Sequence, residues 1–135
     1  MSQINKNGSS LGSHNKEFRL KKDCQNLAGD VFNASADAPK EYRFTICKIV
    51  HDLCVDLIYS VRLANSFPLG SDDRIAEQEN SEEILNRIND LLPVLRRCRC
   101  ISIGQEGEIT RKVGNLKISF LKWKESDKKR FSKEK

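Results

Sequence analysis

The 135-residue chain has few residues that break or bend regular structure. It holds 3 prolines and 7 glycines, which is typical of a helical protein with few turns. Two of the prolines, Pro39 and Pro68, lie where helical patterns begin or end. The scarcity therefore predicts long helices joined by a small number of connections.

The chain also lacks a long apolar run. No stretch approaches the ~18 consecutive apolar residues that span a bilayer. The first residues, 1–13, are polar and lack the apolar segment of a signal peptide. We therefore expect a cytoplasmic protein in a reducing compartment, with no membrane partner. Its five cysteines, an odd number, should then be free thiols: Cys24, Cys47, Cys54, Cys98 and Cys100.

Residues that carry catalysis are scarce. The chain has 2 histidines, His14 and His51, and only His51 falls in a structured region where it could act as a general base. The carboxylates form no obvious buried pair, and Gly104 and Gly107 lack the neighbours of a phosphate-binding loop. We predict no enzymatic activity and no cofactor.

One cluster has the residue types of a metal site. Cys47, His51 and Cys54 are spaced i, i+4 and i+7 on one helical face, and zinc would need a further ligand such as Cys24 or Cys98 from another helix. However, Cys47 and Cys54 fall on an apolar stripe, where free cysteine behaves as a small buried hydrophobe. We favour this second interpretation and predict no metal.

Apolar residues recur at spacings of three and four in four stretches, each of which gives one apolar stripe: 17–36, 39–65, 81–100 and 106–126. A narrow stripe must be covered by neighbouring helices. The pattern predicts an all-α, antiparallel up-down four-helix bundle over residues 17–126. A disordered tail, 1–16, precedes it and a basic tail, 127–135, follows it.

Three segments complete this prediction. The acidic stretch Ser66–Asn80 is expected to be a loop, with Ser81 capping the next helix. Pro93 interrupts that helix, so we expect a kink or two shorter helices meeting there. The basic segment from Asp127 should fray into a charged extension.

The net charge of +5 and the pI of about 9.0 favour anionic partners such as nucleic acid. Arg96, Arg97 and Arg99 form a cluster whose guanidinium groups suit phosphate. Arg96 and Arg99 are one turn apart, and an antiparallel neighbour could add Arg111, Lys112 and Lys117. Such contacts to phosphate would not make the binding specific for a base sequence. The alternative is an ordinary solvated helix face.

A second candidate site lies near the start of the second helix. Tyr42, Arg43 and Phe44 place two aromatic rings and a cation together, a combination suited to contact with a protein partner. The alternative is that they pack the end of the bundle.

Several segments resemble one family. The run Pro39–Thr45 leads into a long helix ending Arg62–Asn65, and the third helix closes with Leu95–Arg99. The last helix carries Val113-Gly114 and then Trp123. Over roughly residues 17–124 the chain resembles the four-helix-bundle Avd-type accessory proteins of diversity-generating retroelements, which share their bundle with the ribosomal-RNA intervening-sequence proteins.

The resemblance implies a specific function. Avd-type proteins form five-fold barrels of bundles with a positively charged surface, and they bind a reverse transcriptase and its RNA or DNA. They support mutagenic copying of template RNA into cDNA without catalysing it. The chain is thus expected to be a homo-oligomer, a pentamer, whose six basic residues contact phosphate. The alternative is a bundle of the intervening-sequence type, with a protein partner and no direct nucleic-acid role.

Overall fold

The structure is a computed structural model that describes the backbone of residues 8–134 and the side chains of residues 19–133. Within that range the chain is all-helical and contains no strand, which confirms the predicted class. The helices are α1 (Gly8–Ala34), α2 (Lys40–Arg43), α3 (Ile46–Ser66), α4 (Asp72–Arg97) and α5 (Ile103–Glu134). None of these helices has an apolar stretch that could cross a membrane.

The four long helices share one apolar core. α3 packs against α1 and α4, and α5 packs against the same two helices, whereas α2 contacts α3. Each long helix buries a stripe of side chains spaced three or four residues apart. Burial of each large apolar side chain contributes about 1.5–3 kcal/mol, so this core is the main favourable contribution to the packing of the helices. Its most deeply buried members include Leu27, Leu57, Leu85, Leu92 and Phe120.

The predicted second helix, 39–65, is two helices. α2 ends at Arg43 and α3 begins at Ile46, because Thr45 has backbone angles (φ −115°, ψ −101°) outside the helical region. The Arg43 Nε donates a hydrogen bond of 2.9 Å to the Ala38 carbonyl on the far side of α2. The short α2 is therefore a separate turn that lies before the long helix.

The predicted loop at 66–80 is mostly helix. α4 begins at Asp72, and its N-cap Ser71 accepts a hydrogen bond of 3.2 Å from the Arg74 N–H. Asp72 and Asp73 lie in the first turn, where a negative charge is favoured by the helix dipole. Ser81, predicted as the cap, is fully buried inside α4 and donates to the Glu77 carbonyl at 3.0 Å.

Apolar spacing does not predict the first half of α4, because the residues that this half buries are polar. Arg74 is 4% exposed, and its Nε and Nη2 donate to the two carboxylate oxygens of Asp127 at 2.6 and 3.0 Å. Gln78 Nε2 donates to the same carboxylate at 2.8 Å. The guanidinium carbon also lies 5.6 Å from the centre of the Trp123 ring. The Arg74 Nη1 donates to three carbonyls at the C-terminal end of α3, those of Ala64, Asn65 and Phe67.

Three other boundaries differ from the prediction. α4 continues through Pro93 as one helix, and Pro93 is exposed four residues before the helix ends. The cost of about 3 kcal/mol for an interior proline is offset by burial of Leu92 and Leu95 beside it. α5 extends to Glu134, so the segment expected to fray from Asp127 is helical. α1 begins within the predicted tail 1–16, whose first seven residues lie outside the described residues.

Candidate nucleic-acid interface

The arginine cluster surrounds the turn between α4 and α5. Cys98 caps α4, the Arg99 N–H donates to the Arg96 carbonyl at 3.0 Å, and the Cys100 N–H donates to the Leu95 carbonyl at 2.8 Å. These two bonds define a Schellman motif, whose left-handed position is most often glycine. Here Arg99 occupies that position with φ of 62°.

The three arginines line one open groove together with Ala34, Asp37 and Gln105. Arg97 and Arg99 are exposed and form no ion pair with another described residue. Arg96 is half-buried, and its Nε donates to Glu106 Oε1 at 2.6 Å. The cluster is therefore brought together as predicted, but Arg96 mainly joins α4 to α5, and the two free guanidinium groups are those of Arg97 and Arg99.

The three basic residues of α5 are divided between two sides of the helix. Lys112 forms an ion pair with Asp30 of α1, and exposed Arg111 lies 3.9 Å from Glu108. Both basic residues line a pocket of about 330 Å³ between α1 and α5. Lys117 is exposed and has no ion pair among the described residues. At about 100° per residue, it lies roughly 140° around the helix from Lys112.

Arg111 and Lys112 are close to the arginine groove, whereas Lys117 is not. Ala34 and Gln105 line both the groove beside the arginines and a second groove beside Lys112. The basic residues therefore follow the seam between α1 and α5. Asp30 and Glu108 also line this seam, and Asp30 neutralises the charge of Lys112.

The segment that was expected to fray is the helical end of α5, and it carries a further pair of basic residues. Lys129 and Lys133 are four residues apart, exposed and on the same side of α5. A signal for this was present in the sequence: Trp123 and Asp127 continue the spacing of the buried stripe. Apolar spacing alone does not extend the helix past Trp123, because the next buried position, Asp127, is polar.

The candidate partner site, Tyr42, Arg43 and Phe44, contains one partly buried residue and two exposed ones. Tyr42 packs on the core, and the negative charge of the neighbouring Cys98 thiolate raises the pKa of the phenol. Phe44 is 81% exposed at the end of α2. Tyr42 thus packs the bundle end, as the alternative interpretation held, whereas Phe44 is free to contact another molecule.

The metal hypothesis gains no support from the geometry. Cys47 and Cys54 are buried in the core, and burial raises the pKa of the Cys54 thiol to about 12. His51 Nε2 is 2.8 Å from the Ser35 hydroxyl, and its ring lies 4.6 Å from the Phe32 ring. Within the described range, no group of three His, Cys, Asp or Glu side chains is placed to hold a metal ion.

No protein-family model, curated protein or solved structure matches this chain. The geometry defines an all-helical protein with exposed arginines at the turn between its last two helices.

Proposed function

We propose that this chain is a non-catalytic accessory protein of a diversity-generating retroelement, of the Avd type. It assembles as a homo-oligomer, a pentamer, and binds a reverse transcriptase together with template RNA or cDNA. The observation that carries the proposal is the pair of exposed arginines at the α4–α5 turn, Arg97 and Arg99.

The proposal includes an antiparallel up-down bundle, which side-chain contacts support. Early residues of α4 meet late residues of α5, and the order reverses along both helices: Arg74–Asp127, Glu82–Lys124 and Arg96–Glu106. α3 and α4 show the same reversal, since Ser60 contacts Ser81 and Ala64 contacts Arg74. These contacts support the antiparallel packing of α4 against α3 and α5 that the proposal requires.

The backbone of Arg99 favours a binding role for its side chain. A non-glycine residue in the left-handed region costs about 1 kcal/mol or more, and glycine would satisfy the same turn without that cost. An arginine held there next to exposed Arg97 presents two guanidinium groups in a groove. Guanidinium groups bind phosphate oxygens in a bidentate manner, which fits a nucleic-acid backbone.

The protein partner is assigned to the same end of the bundle. Phe44 is exposed at the end of α2, and Tyr42, two residues before it, packs on the core near Cys98, which lies between Arg97 and Arg99. A reverse transcriptase that covers Phe44 would thus lie next to the nucleic acid held by Arg97 and Arg99. This proximity is what an accessory protein for template copying requires.

Charge reversal tests the nucleic-acid site. We expect Arg97→Glu with Arg99→Glu to weaken RNA binding on the order of tenfold or more and to lower the salt slope by about 1 for each lost phosphate contact. The matched control is Arg87→Glu, an exposed α4 arginine that pairs with Glu83; it should leave affinity nearly unchanged. An unaltered affinity and salt slope in the double variant would refute the site.

A second function is favoured by one observation. Three of the six predicted basic residues have carboxylate partners, namely Arg96, Arg111 and Lys112. Such pairing is typical of a structural bundle of the intervening-sequence type that binds a protein partner and no nucleic acid. This function predicts little RNA affinity at moderate salt and a coding sequence inserted within a ribosomal RNA gene. The first function predicts a neighbouring reverse-transcriptase gene.

A further inference from the structure

A carboxylate lies in the arginine groove without a partner. The groove at the α4–α5 turn has a volume of about 770 Å³, and its lining includes Asp37, from the turn after α1, together with Arg97 and Arg99. Asp37 is exposed and forms no ion pair or side-chain hydrogen bond with another described residue. An anion that borders two cations and pairs with neither remains available to a ligand.

The backbone beside Asp37 is held in place. Ala38, the next residue, is buried; its N–H donates to the Ser35 carbonyl at 3.1 Å, and its carbonyl accepts from Arg43 Nε at 2.9 Å. Arg43 thus binds the backbone and forms no ion pair with the Asp37 carboxylate. The carboxylate is therefore presented to the groove from an ordered turn.

The groove presents both positive and negative charge to a ligand. Arg96 is paired with Glu106, so the charges that remain free are those of Arg97, Arg99 and Asp37. A carboxylate repels phosphate oxygens, so a site that bound phosphate alone would gain nothing from it. The groove therefore suits a ligand that carries phosphate groups and, close to them, hydrogen-bond donors that a carboxylate accepts.

The start of α5 adds two features to the groove. Ser102 and Gln105 line it and cap each other: the Ser102 N–H donates to Gln105 Oε1 at 2.8 Å, and the Gln105 N–H donates to Ser102 Oγ at 3.1 Å. The positive end of the α5 dipole thus borders the groove, where it favours phosphate. Ile103, the first residue of α5, also lines the groove and is 75% exposed, so it offers apolar surface that a base can cover.

A nucleotide in a single strand has this combination of groups. Its backbone carries phosphate, and the edge of its base is free because the base is unpaired. The Watson–Crick edge of guanine has two adjacent donors, N1–H and N2–H, which match the two acceptor oxygens of a carboxylate. Adenine places its N1 acceptor there instead, and base pairing in a duplex occupies the donors of guanine. The chemistry of a free carboxylate thus favours unpaired guanine over adenine and over a base pair.

We infer that the arginine groove binds an unpaired guanine of a single-stranded nucleic acid. Asp37 accepts hydrogen bonds from the N1–H and N2–H of the base, while Arg97 and Arg99 bind the adjoining phosphates. The inference rests on the proposed function, because it concerns the same groove, and it deepens that function by naming the ligand. Phosphate contacts alone do not select a base, whereas Asp37 adds a contact that does.

Matched RNA strands test the role of Asp37. One labelled strand contains only adenine, and a second carries isolated guanines in the same sequence. Fluorescence anisotropy at one fixed salt concentration measures the affinity of the full-length protein for each. We expect the wild type to bind the guanine strand on the order of tenfold more tightly than the adenine strand. When each strand is paired with its complement, this preference should disappear.

Asp37→Asn separates base recognition from a general charge effect. Asparagine has nearly the same shape but lacks the charge and one acceptor oxygen, so the ratio of guanine to adenine affinity should fall to about one. Removal of a carboxylate that only repelled phosphate would raise both affinities alike and leave their ratio unchanged. The matched control is Asp90→Asn, which removes an exposed carboxylate of α4 outside the groove and should keep the guanine preference. Circular dichroism melts check that each variant is folded.

The outcomes distinguish this inference from the proposed function. A wild type that binds the two single strands equally overturns the inference and leaves the phosphate contacts in place, as does an Asp37→Asn variant that retains the guanine preference. Duplexes that show the same preference also overturn it. A wild type that binds no RNA overturns both the inference and the nucleic-acid role. A guanine preference that depends on Asp37, in a protein that forms no complex with a reverse transcriptase, upholds the inference and refutes the accessory role.

Discussion

The Arg74 guanidinium lies 2.6 Å from a carboxylate oxygen of Asp127, and both side chains are buried. The pair joins the first turn of α4 to the late part of α5. Gln78 and the last carbonyls of α3 satisfy its remaining donors and acceptors. A buried pair is not strongly stabilising in itself, but its removal leaves an uncompensated charge in the core.

Asp127→Ala should therefore destabilise the protein by about 3–5 kcal/mol, because Arg74 would remain buried without its carboxylate. Urea denaturation followed by circular dichroism measures this change. The matched control is Glu83→Ala, which breaks the exposed pair with Arg87 and should cost below about 1 kcal/mol. Equal effects of the two variants would show that the Arg74–Asp127 contact does not hold the helices together.

Glycine at position 99 should stabilise the protein and weaken its function. Arg99→Gly removes the cost of the left-handed backbone, so unfolding free energy should rise by about 1 kcal/mol. RNA affinity should fall, since one guanidinium is lost. Arg97→Gly is the control, because it removes the same charge from within α4 and should lower stability by roughly 0.5–1 kcal/mol. A loss of stability in Arg99→Gly would contradict the turn geometry.

Gly70 should not tolerate a side chain. Its φ is 80°, and an added Cβ would collide with the ring of Phe131. We expect Gly70→Ala to lower the melting temperature, with a cost of about 1–2 kcal/mol for the backbone alone. Gly29→Ala, within α1 and with open space around its Cβ position, should instead stabilise by about 0.5–1 kcal/mol. A harmless Gly70→Ala would indicate that α5 is not packed as far as Phe131.

Stability should depend on pH through His51. Burial lowers the pKa of His51 from its ordinary value of 6.5, although Asp52 opposes the shift. The unfolded chain then binds more protons than the folded chain between the two pKa values. The contribution is fully present above about 6.5 and is lost as the pH falls toward the lower, folded value. Chemical denaturation between pH 7.5 and 5 should show this loss, and His51→Gln should reduce it.

Apolar spacing predicted the helices whose buried positions are apolar, and it failed where those positions are polar. Leu85, Leu92 and Phe120 follow the three-and-four spacing and are in the core. Arg74 and Asp127 also occupy buried positions at this spacing. Each is charged, however, and a charged residue is expected at the surface unless a partner of opposite charge is buried with it. The partner is 53 residues away, so no local pattern reveals it.

The candidate site was predicted in composition but not in arrangement. The sequence placed Arg96 and Arg99 on one helical face, whereas α4 ends before Arg99 and a left-handed turn orients it. The pairing of Arg96 with Glu106 and of Lys112 with Asp30 depends on how the helices pack. Exposure of Arg97 and Phe44 likewise follows from the tertiary structure.

The proposed function requires this chain to form an oligomer that binds a reverse transcriptase and its RNA. Size-exclusion chromatography with light scattering on the chain alone, with a reverse transcriptase encoded beside its gene, and with template RNA tests it most directly. We expect a pentamer that forms a stable complex of fixed stoichiometry with both partners. A monomer whose elution neither the enzyme nor the RNA changes would contradict it and leave only the helical fold.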